Sequence, residues 1–411
     1  MTSPGCSNAL PQRAAALVEQ LALSGANFIA FLVLARQLAP ADWGAFGFAY
    51  ALLLFMQGFQ RASVTIPMIP YSAHGAGWSA TRQAWAGMNL GLSLLCAAGL
   101  ALVAAVLQLV SGGWLVQAFA MASLLAVPMF LHEFARRAAI QEGRTDLLAA
   151  MGLAYAVVLT VAVLWPGAAG RGAWSASIAW AAAAAVAAAV YAMKGGTPLR
   201  LRRAAWPDGA GYRHYVGWAA LGHLGHSGYN FGVQAILAAL AGPAAVGAFH
   251  ACRTLVQPVS VLLNAMDGVD KPRAAAALAR GGPAAMRRVL WHSLATMAIL
   301  ALPVLTVAAL WATPLLTLAY GERYATQGTL VAAWCVASVC MLLAQPVESG
   351  LYMSDRTRAL FVGRAAAAAA GTGVALWLVP VHGATGAVAA LAAGFFVAAV
   401  SGALQLRHKG S

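Results

Sequence analysis

Two arginines stand where hydrocarbon-soluble residues are expected: Arg61 within the apolar run 45–69, and Arg253 within 246–265. A cation inside such a run is costly unless it faces water, a partner or a ligand. A guanidinium fork matches the oxygens of a diphosphate through paired hydrogen bonds, so both are candidate substrate-binding groups. For Arg61 the competing reading is a structural ion pair with Glu19, at similar depth in the expected topology. A polar stripe accompanies them. Glu19, Gln20, Ser24 and Asn27 recur at helical spacing along the first apolar segment, and His223, His226, Ser227, Asn230 and Gln234 along the seventh. Such a stripe either hydrogen-bonds neighbouring helices or forms the wall of a water-filled cavity. On the second reading Gln20, Asn27, His223 and Asn230 join the arginines as substrate contacts. His132, Glu133 and Glu348 fall at helix ends, where carboxylates snorkel toward basic loop partners.

The elements that position these residues follow from composition. Of 411 residues, 62% are hydrophobic and 9% charged, against roughly 45–50% and about 25% in soluble domains. That balance excludes a single aqueous core, and with it disorder, collagen and disulfide scaffolds. An all-α polytopic membrane protein remains. A hydrocarbon core of roughly 30 Å needs about 20 apolar residues per helix. Twelve runs qualify: 14–35, 45–69, 85–110, 114–134, 147–165, 173–193, 216–240, 246–265, 289–311, 328–346, 360–380 and 384–405. With both termini inside, 20 of the 25 Lys and Arg residues fall in inner segments and three (Arg36, Arg171, Arg323) in outer loops. This is the positive-inside asymmetry, so the net charge of +14 speaks of topology rather than nucleic acid. Trp43, Trp114, Trp165, Trp174, Trp311 and Trp377 fall near outer ends and Trp85, Trp218 and Trp291 near inner ends, as in an interfacial belt. The five cysteines show no metal spacing and read as packed free thiols. No cofactor or metal is expected.

An internal repeat divides the chain. Residues 21–46 and 224–249 match at twelve of 26 positions without a gap, including Ser24/Ser227, Asn27/Asn230, Pro40/Pro243 and Phe46/Phe249. The same repeat argues that the first apolar segment is retained rather than cleaved as a signal peptide. Six helices separate the copies, so orientation is preserved and the repeats are parallel, related by a pseudo-two-fold along the membrane normal. The expected organisation is a six-helix lobe over 1–193, a basic cytoplasmic linker over 194–215 and a second six-helix lobe over 216–411. Lobes so related hold a substrate between them near the midplane.

Phosphate-loop, nucleophile-elbow and zinc-protease motifs are missing, as is a long outer loop with paired carboxylates, so no enzyme is expected. Three stretches carry a resemblance: ARQLAPADWGAFGFAYAL after the first helix, LTLAYGERYATQGTLVAAWCVAS at 316–338 and LVPVHGATGAVAALAAG at 378–394. They resemble the polysaccharide transporter family, the Wzx-type flippases of the multidrug/oligosaccharidyl-lipid/polysaccharide (MOP) superfamily. The resemblance spans nearly the whole chain and implies a MOP/MATE-like fold in the bacterial inner membrane. It also implies translocation of an undecaprenyl-diphosphate-linked oligosaccharide by alternating access, for O-antigen, capsule or exopolysaccharide assembly. Glycosyltransferases and a polysaccharide polymerase are the implied partners, beside the lipid-linked substrate and membrane lipid. The family's cationic cavity makes Arg61 and Arg253 the candidates by location. Without ATP chemistry, direction must come from an ion gradient, membrane potential or product consumption. Glu19 and His226 are the candidate ion-coupling groups, with His223 as a further proton carrier. The rival reading is a cation-coupled multidrug exporter of the MATE type, which would call for more carboxylates.

Overall fold

A bilayer offers no water to unpaired backbone groups, so a spanning chain must satisfy them within each segment as helix. The computed structural model describes residues 9–69, 78–165, 172–194, 210–354 and 356–407, and helix is the only regular structure among them. The helices are α1 (Ala9–Gln37), α2 (Pro40–Gln60), α3 (Trp78–Val110), α4 (Trp114–Gln141), α5 (Thr145–Leu164) and α6 (Ala173–Met193). They continue as α7 (Ala210–His223), α8 (Tyr229–Leu310), α9 (Ala312–Tyr320), α10 (Gly328–Met353) and α11 (Thr357–Arg407). Among the described residues, nine helices are long and apolar enough to cross a membrane. Only 17% of the most apolar window of Thr81–Val110 is buried by protein, which is untenable in water and natural against lipid. The chain is a multi-pass membrane protein.

Of the first six expected spans, 14–35, 85–110, 114–134, 147–165 and 173–193 fall on α1 and α3 to α6, whereas 45–69 runs from α2 through the π-helical turn that follows it, and α2 is not among the nine. In the second half the helices run longer than the spans. The expected 246–265 and 289–311 both fall in α8, and 360–380 and 384–405 both fall in α11. Glycines interrupt these long runs. Gly242 (φ 76°) and Gly282 (φ 68°) break α8, and Gly383 (φ 53°) breaks α11, each in the left-handed region that a Cβ disfavours. Around Gly383 the chain doubles back so closely that a Cβ on Gly386 would lie 2.5 Å from the Leu378 carbonyl oxygen. The LVPVHGATGA stretch is thus a backbone requirement. Two π-helical turns, Arg61–Thr65 and Leu224–Gly228, extend α2 and join α7 to α8.

The chain divides into two compact units, Met1–His223 and Leu224–Ser411. In the first, α1 packs on α5, α5 on α6, and α4 against α2, α3 and α6. In the second, α8, α10 and α11 pack on one another. The repeat is visible inside each unit as matched burial. Leu34 and Leu237, Ala35 and Ala238, and Phe46 and Phe249 are all buried. Each phenylalanine meets a tryptophan, Phe46 with Trp180 at 5.0 Å and Phe249 with Trp334 at 4.8 Å between ring centroids. Pro40 opens α2, and Pro243 follows the Gly242 break, so both copies place proline at a helix start, where its missing N–H costs nothing.

Two tryptophans depart from the expected belt. Trp43 is fully buried against Phe31 (5.5 Å) and Phe46 (5.7 Å), and Trp85 is buried beside Tyr212 (6.1 Å). Aromatic packing holds them in the protein interior. Trp165, Trp218, Trp291, Trp311 and Trp377 are exposed, as a belt requires. Residues 195–209 of the expected linker, the 166–171 loop, Cys6 and the His226 side chain lie outside the described residues. The other four cysteines are free thiols.

Tyr229 on α8 is the joint of the second unit. Its hydroxyl donates to the Ala390 (2.7 Å) and Leu391 (3.0 Å) carbonyls, and its ring lies against Gly371 and Gly394 on the two arms of α11. A Cβ at Gly371 would sit 2.2 Å from the ring. Gly371→Ala is therefore expected to cost about 1–3 kcal/mol through overpacking, read as a lower unfolding temperature of the detergent-purified chain.

Candidate functional site

The segment HEFARR in α4 sets Glu133, Arg136 and Arg137 on one helical face, at i, i+3 and i+4. Glu133 is almost fully buried and holds three guanidinium groups. Its Oε1 accepts from Arg61 Nε at 3.0 Å and Arg137 Nε at 3.3 Å, and its Oε2 from Arg136 Nη1 at 3.2 Å. Arg136 also donates through Nε and Nη2 to the two oxygens of Glu19, the second at 3.0 Å, and through Nη2 to Gln20 Oε1 at 3.4 Å. Gly152 on α5 admits this arrangement, because a Cβ there would lie 3.1 Å from the Glu19 Cα. Arg61 closes the chain by donating from Nη2 to Gln57 Oε1 at 3.3 Å. Two carboxylates thus meet three arginines, leaving a net positive charge.

The expected pairing of Arg61 with Glu19 is corrected here: Arg61 pairs with Glu133, and Glu19 with Arg136. Glu133, placed at the inner end of its helix with loop partners, is instead the buried centre of the cluster. Arg136, counted among the topology-setting loop residues, is its bridge. Both were visible as an i, i+3 pair, but only packing brings α1 and α2 onto it. The side chain of Arg61 keeps 44% exposure, so a ligand can reach its guanidinium while Glu133 retains it.

The other candidates fall in separate environments. Asn27 Oδ1 accepts from Tyr155 OH and Trp180 Nε1, each at 3.0 Å, which ties α1 to α5 and α6. Gln20 donates to Ser24 Oγ at 3.0 Å. Gln60 donates to Asn89 Oδ1 (2.7 Å) and the Phe130 carbonyl (2.8 Å), a buried tie among α2, α3 and α4 that polarity alone did not single out. His223 stacks on Phe55, lies 2.9 Å through Nε2 from the Phe55 carbonyl, and is seated over Gly58, where a Cβ would fall 1.8 Å from its ring. In the second unit Arg253 is exposed and lies over the Trp334 ring at 5.8 Å, a cation–π contact. Asn230 is half-buried, with its carbonyl accepting from Gln234 at 3.3 Å. Glu348 takes Arg364 at 2.7 Å. Among the described residues no His, Cys, Asp and Glu group has the arrangement to hold a metal.

Removing Glu133 leaves three cations around a buried gap. Glu133→Gln is expected to destabilise the chain by about 3–5 kcal/mol, whereas Arg61→Gln, half-exposed and solvent-screened, should cost about 1 kcal/mol or less. Exchanging charge at Glu19 and Arg136 should recover part of the single-variant loss in thermal unfolding. The same exchange at Glu19 and Arg61 should recover none.

Solved structures share this fold. An inward-facing multidrug resistance MATE family transporter of the MOP superfamily aligns with a TM-score of 0.76 at 14% identity, covering 95% of this chain and 97% of that one. The lipid II flippase MurJ, in an inward closed conformation, aligns with a TM-score of 0.74 at 9% identity, covering 98% and 88%. A MOP superfamily transporter from Pyrococcus furiosus, described as having a binding pocket of reverse polarity, aligns with a TM-score of 0.66 at 14% identity over 97% and 94%. At these identities the likeness shows the fold alone, the one these solved structures share. No curated protein matches the sequence. A family model described as "Polysaccharide biosynthesis protein" matches residues 33–327, which contain Arg61, Glu133, Arg136 and Arg253. The chain belongs to the polysaccharide biosynthesis protein family.

Proposed function

We propose that this protein is a flippase that carries a diphosphate-linked oligosaccharide on an undecaprenyl lipid across the bacterial inner membrane by alternating access. The observation that carries the reading is the family match over residues 33–327 in a chain with a MOP-type transporter fold. The chemistry is coherent with it. A lipid diphosphate must leave the headgroup layer, and cationic groups lower that cost. Arg61 is held by Glu133 yet half-exposed, and Arg253 is exposed on its aromatic platform, so each can meet a phosphate oxygen. Gln20, Asn27, His223 and Asn230 serve as further substrate contacts, and Glu19 and His226 as ion-coupling groups. The protein acts without a catalytic step, with twelve crossings and both termini in the cytoplasm, and hands its cargo from glycosyltransferases to a polysaccharide polymerase. Multidrug export is disfavoured by the same cluster: Glu133, the carboxylate at its centre, is already saturated by three arginines and has no charge left for a cationic drug.

Arg61→Ala and Arg253→Ala are each expected to cut glycan export about ten-fold, the loss of one charge-assisted contact, at unchanged membrane abundance. Lipid-linked oligosaccharide should accumulate in the inner leaflet. Wild-type export by both variants would remove the diphosphate-binding role. A single cysteine at position 209 should react with impermeant thiol reagent only from the cytoplasmic side, and labelling from outside would overturn the topology.

A further inference from the structure

The second unit contains a cationic groove apart from all the residues above. The α8 arms on either side of Gly282 carry it, between residues 266–280 and 288–296, and it encloses about 640 Å³. Gly282 (φ +68°) followed by Pro283 breaks the helix and brings the two arms side by side. In sequence the apolar runs 246–265 and 289–311 flank the basic residues, a pattern that fits a groove at headgroup level, where this helix pair leaves the hydrocarbon.

Its charge is unbalanced. Arg273, Arg280, Arg288 and His292 line it, against the single carboxylate of Asp270. Asp270 is committed: it accepts from Ser293 Oγ and lies 4.0 Å from Arg273 Nη1. Nearby Lys271 is paired with Asp267, which also accepts from Ser349 Oγ at 2.7 Å. Among the described residues no carboxylate pairs with Arg280 or Arg288, both of which are exposed. Two guanidinium groups therefore face a pocket of ligand size without a counter-anion from the protein. The remaining wall is mostly apolar, with Ala276, Ala277 and Val289, beside the hydroxyls of Ser293 and Thr296. Along the same arm Trp291 and Ile299 are 66% and 72% exposed, a surface suited to an acyl chain running down from the groove.

We infer that this groove is a binding site for an anionic phospholipid, with Arg280 and Arg288 on the headgroup phosphates and the acyl chains along Trp291 and Ile299. Basic pockets between membrane helices at the bilayer surface take headgroups of this kind. The volume favours a lipid with two phosphodiesters, as in cardiolipin, over a single phosphate. The site lies wholly in the second unit, so it stands whatever cargo the protein carries.

Native mass spectrometry of the full chain in micelles of phosphatidylcholine and cardiolipin tests this. The wild-type chain is expected to retain cardiolipin, and Arg280→Gln with Arg288→Gln to bind it roughly thirty-fold more weakly, with phosphatidylcholine adducts unchanged. Ala277→Trp, which fills the groove and keeps every charge, should lose cardiolipin as well. Equal cardiolipin binding by wild type and both variants overturns the assignment. So does an equal loss in Arg213→Gln, a surface charge on α7, since that would mean diffuse attraction. Preparations that retain no cardiolipin but bind inorganic pyrophosphate through these arginines would likewise overturn it, and would favour the diphosphate of a lipid-linked sugar.

Discussion

A carboxylate inside a membrane-embedded helix bundle is tolerable only when cations saturate it, and Glu133 meets that condition with three arginines. The cost of burying the charge is returned only by geometry good enough to satisfy both oxygens. That demand fixes more than one side chain. It draws α1 to α4 through Glu19 and Arg136, and α2 to α4 through Arg61. The glycine at 152 is needed because α1 approaches α5 so closely at Glu19. A chain of alternating charge thereby becomes a structural clamp across three helices of the first unit.

The clamp also shapes what the unit can bind. Three cations on two carboxylates leave positive charge over, and the most exposed guanidinium of the cluster belongs to Arg61. An arginine oriented by a buried carboxylate keeps a defined direction while part of its fork stays open, which suits recognition of phosphate oxygens. Asn27, by contrast, spends its carbonyl on Tyr155 and Trp180, and so contributes first to packing. In the second unit the exposed Arg253 lies over the aromatic face of Trp334. The two halves reach similar burial at the matched positions of the repeat, Leu34 and Leu237, Ala35 and Ala238, and Phe46 and Phe249.

Glycine and proline divide the long helices. The breaks at Gly242, Gly282 and Gly383 occur where a left-handed backbone is needed, and each is followed within a few residues by a helix resuming in a new direction. The π-helical turns add local irregularity at Arg61 and beside His223, next to candidate substrate residues. Such turns widen the helix by one residue and are frequent at functional positions. The Gly282 break has a second consequence, since it sets Arg280 and Arg288 across one groove.

The sequence by itself determined the solvent, the helices and the duplication. Hydropathy over runs such as 85–110 and 173–193 needs no tertiary information, because a single helix in lipid must already satisfy its own backbone. The repeated P-A-x-x-G-A-F marked the duplication, and the structure buries its phenylalanine in each half, Phe46 and Phe249. Which charges pair was decided only by the tertiary structure. Sequence put Glu19 at the depth of Arg61, but depth along the membrane normal says nothing about rotation around it. The azimuth of α1 and α2 about α4, set by Gly152, Gln60–Asn89 and the aromatic cluster on Trp180, gave Arg61 to Glu133 and Glu19 to Arg136. Trp43 followed the same logic: its position near a helix end matched an interface residue, and contact with Phe31 and Phe46 turned it inward, because ring packing in the core outweighs the interface preference of an indole.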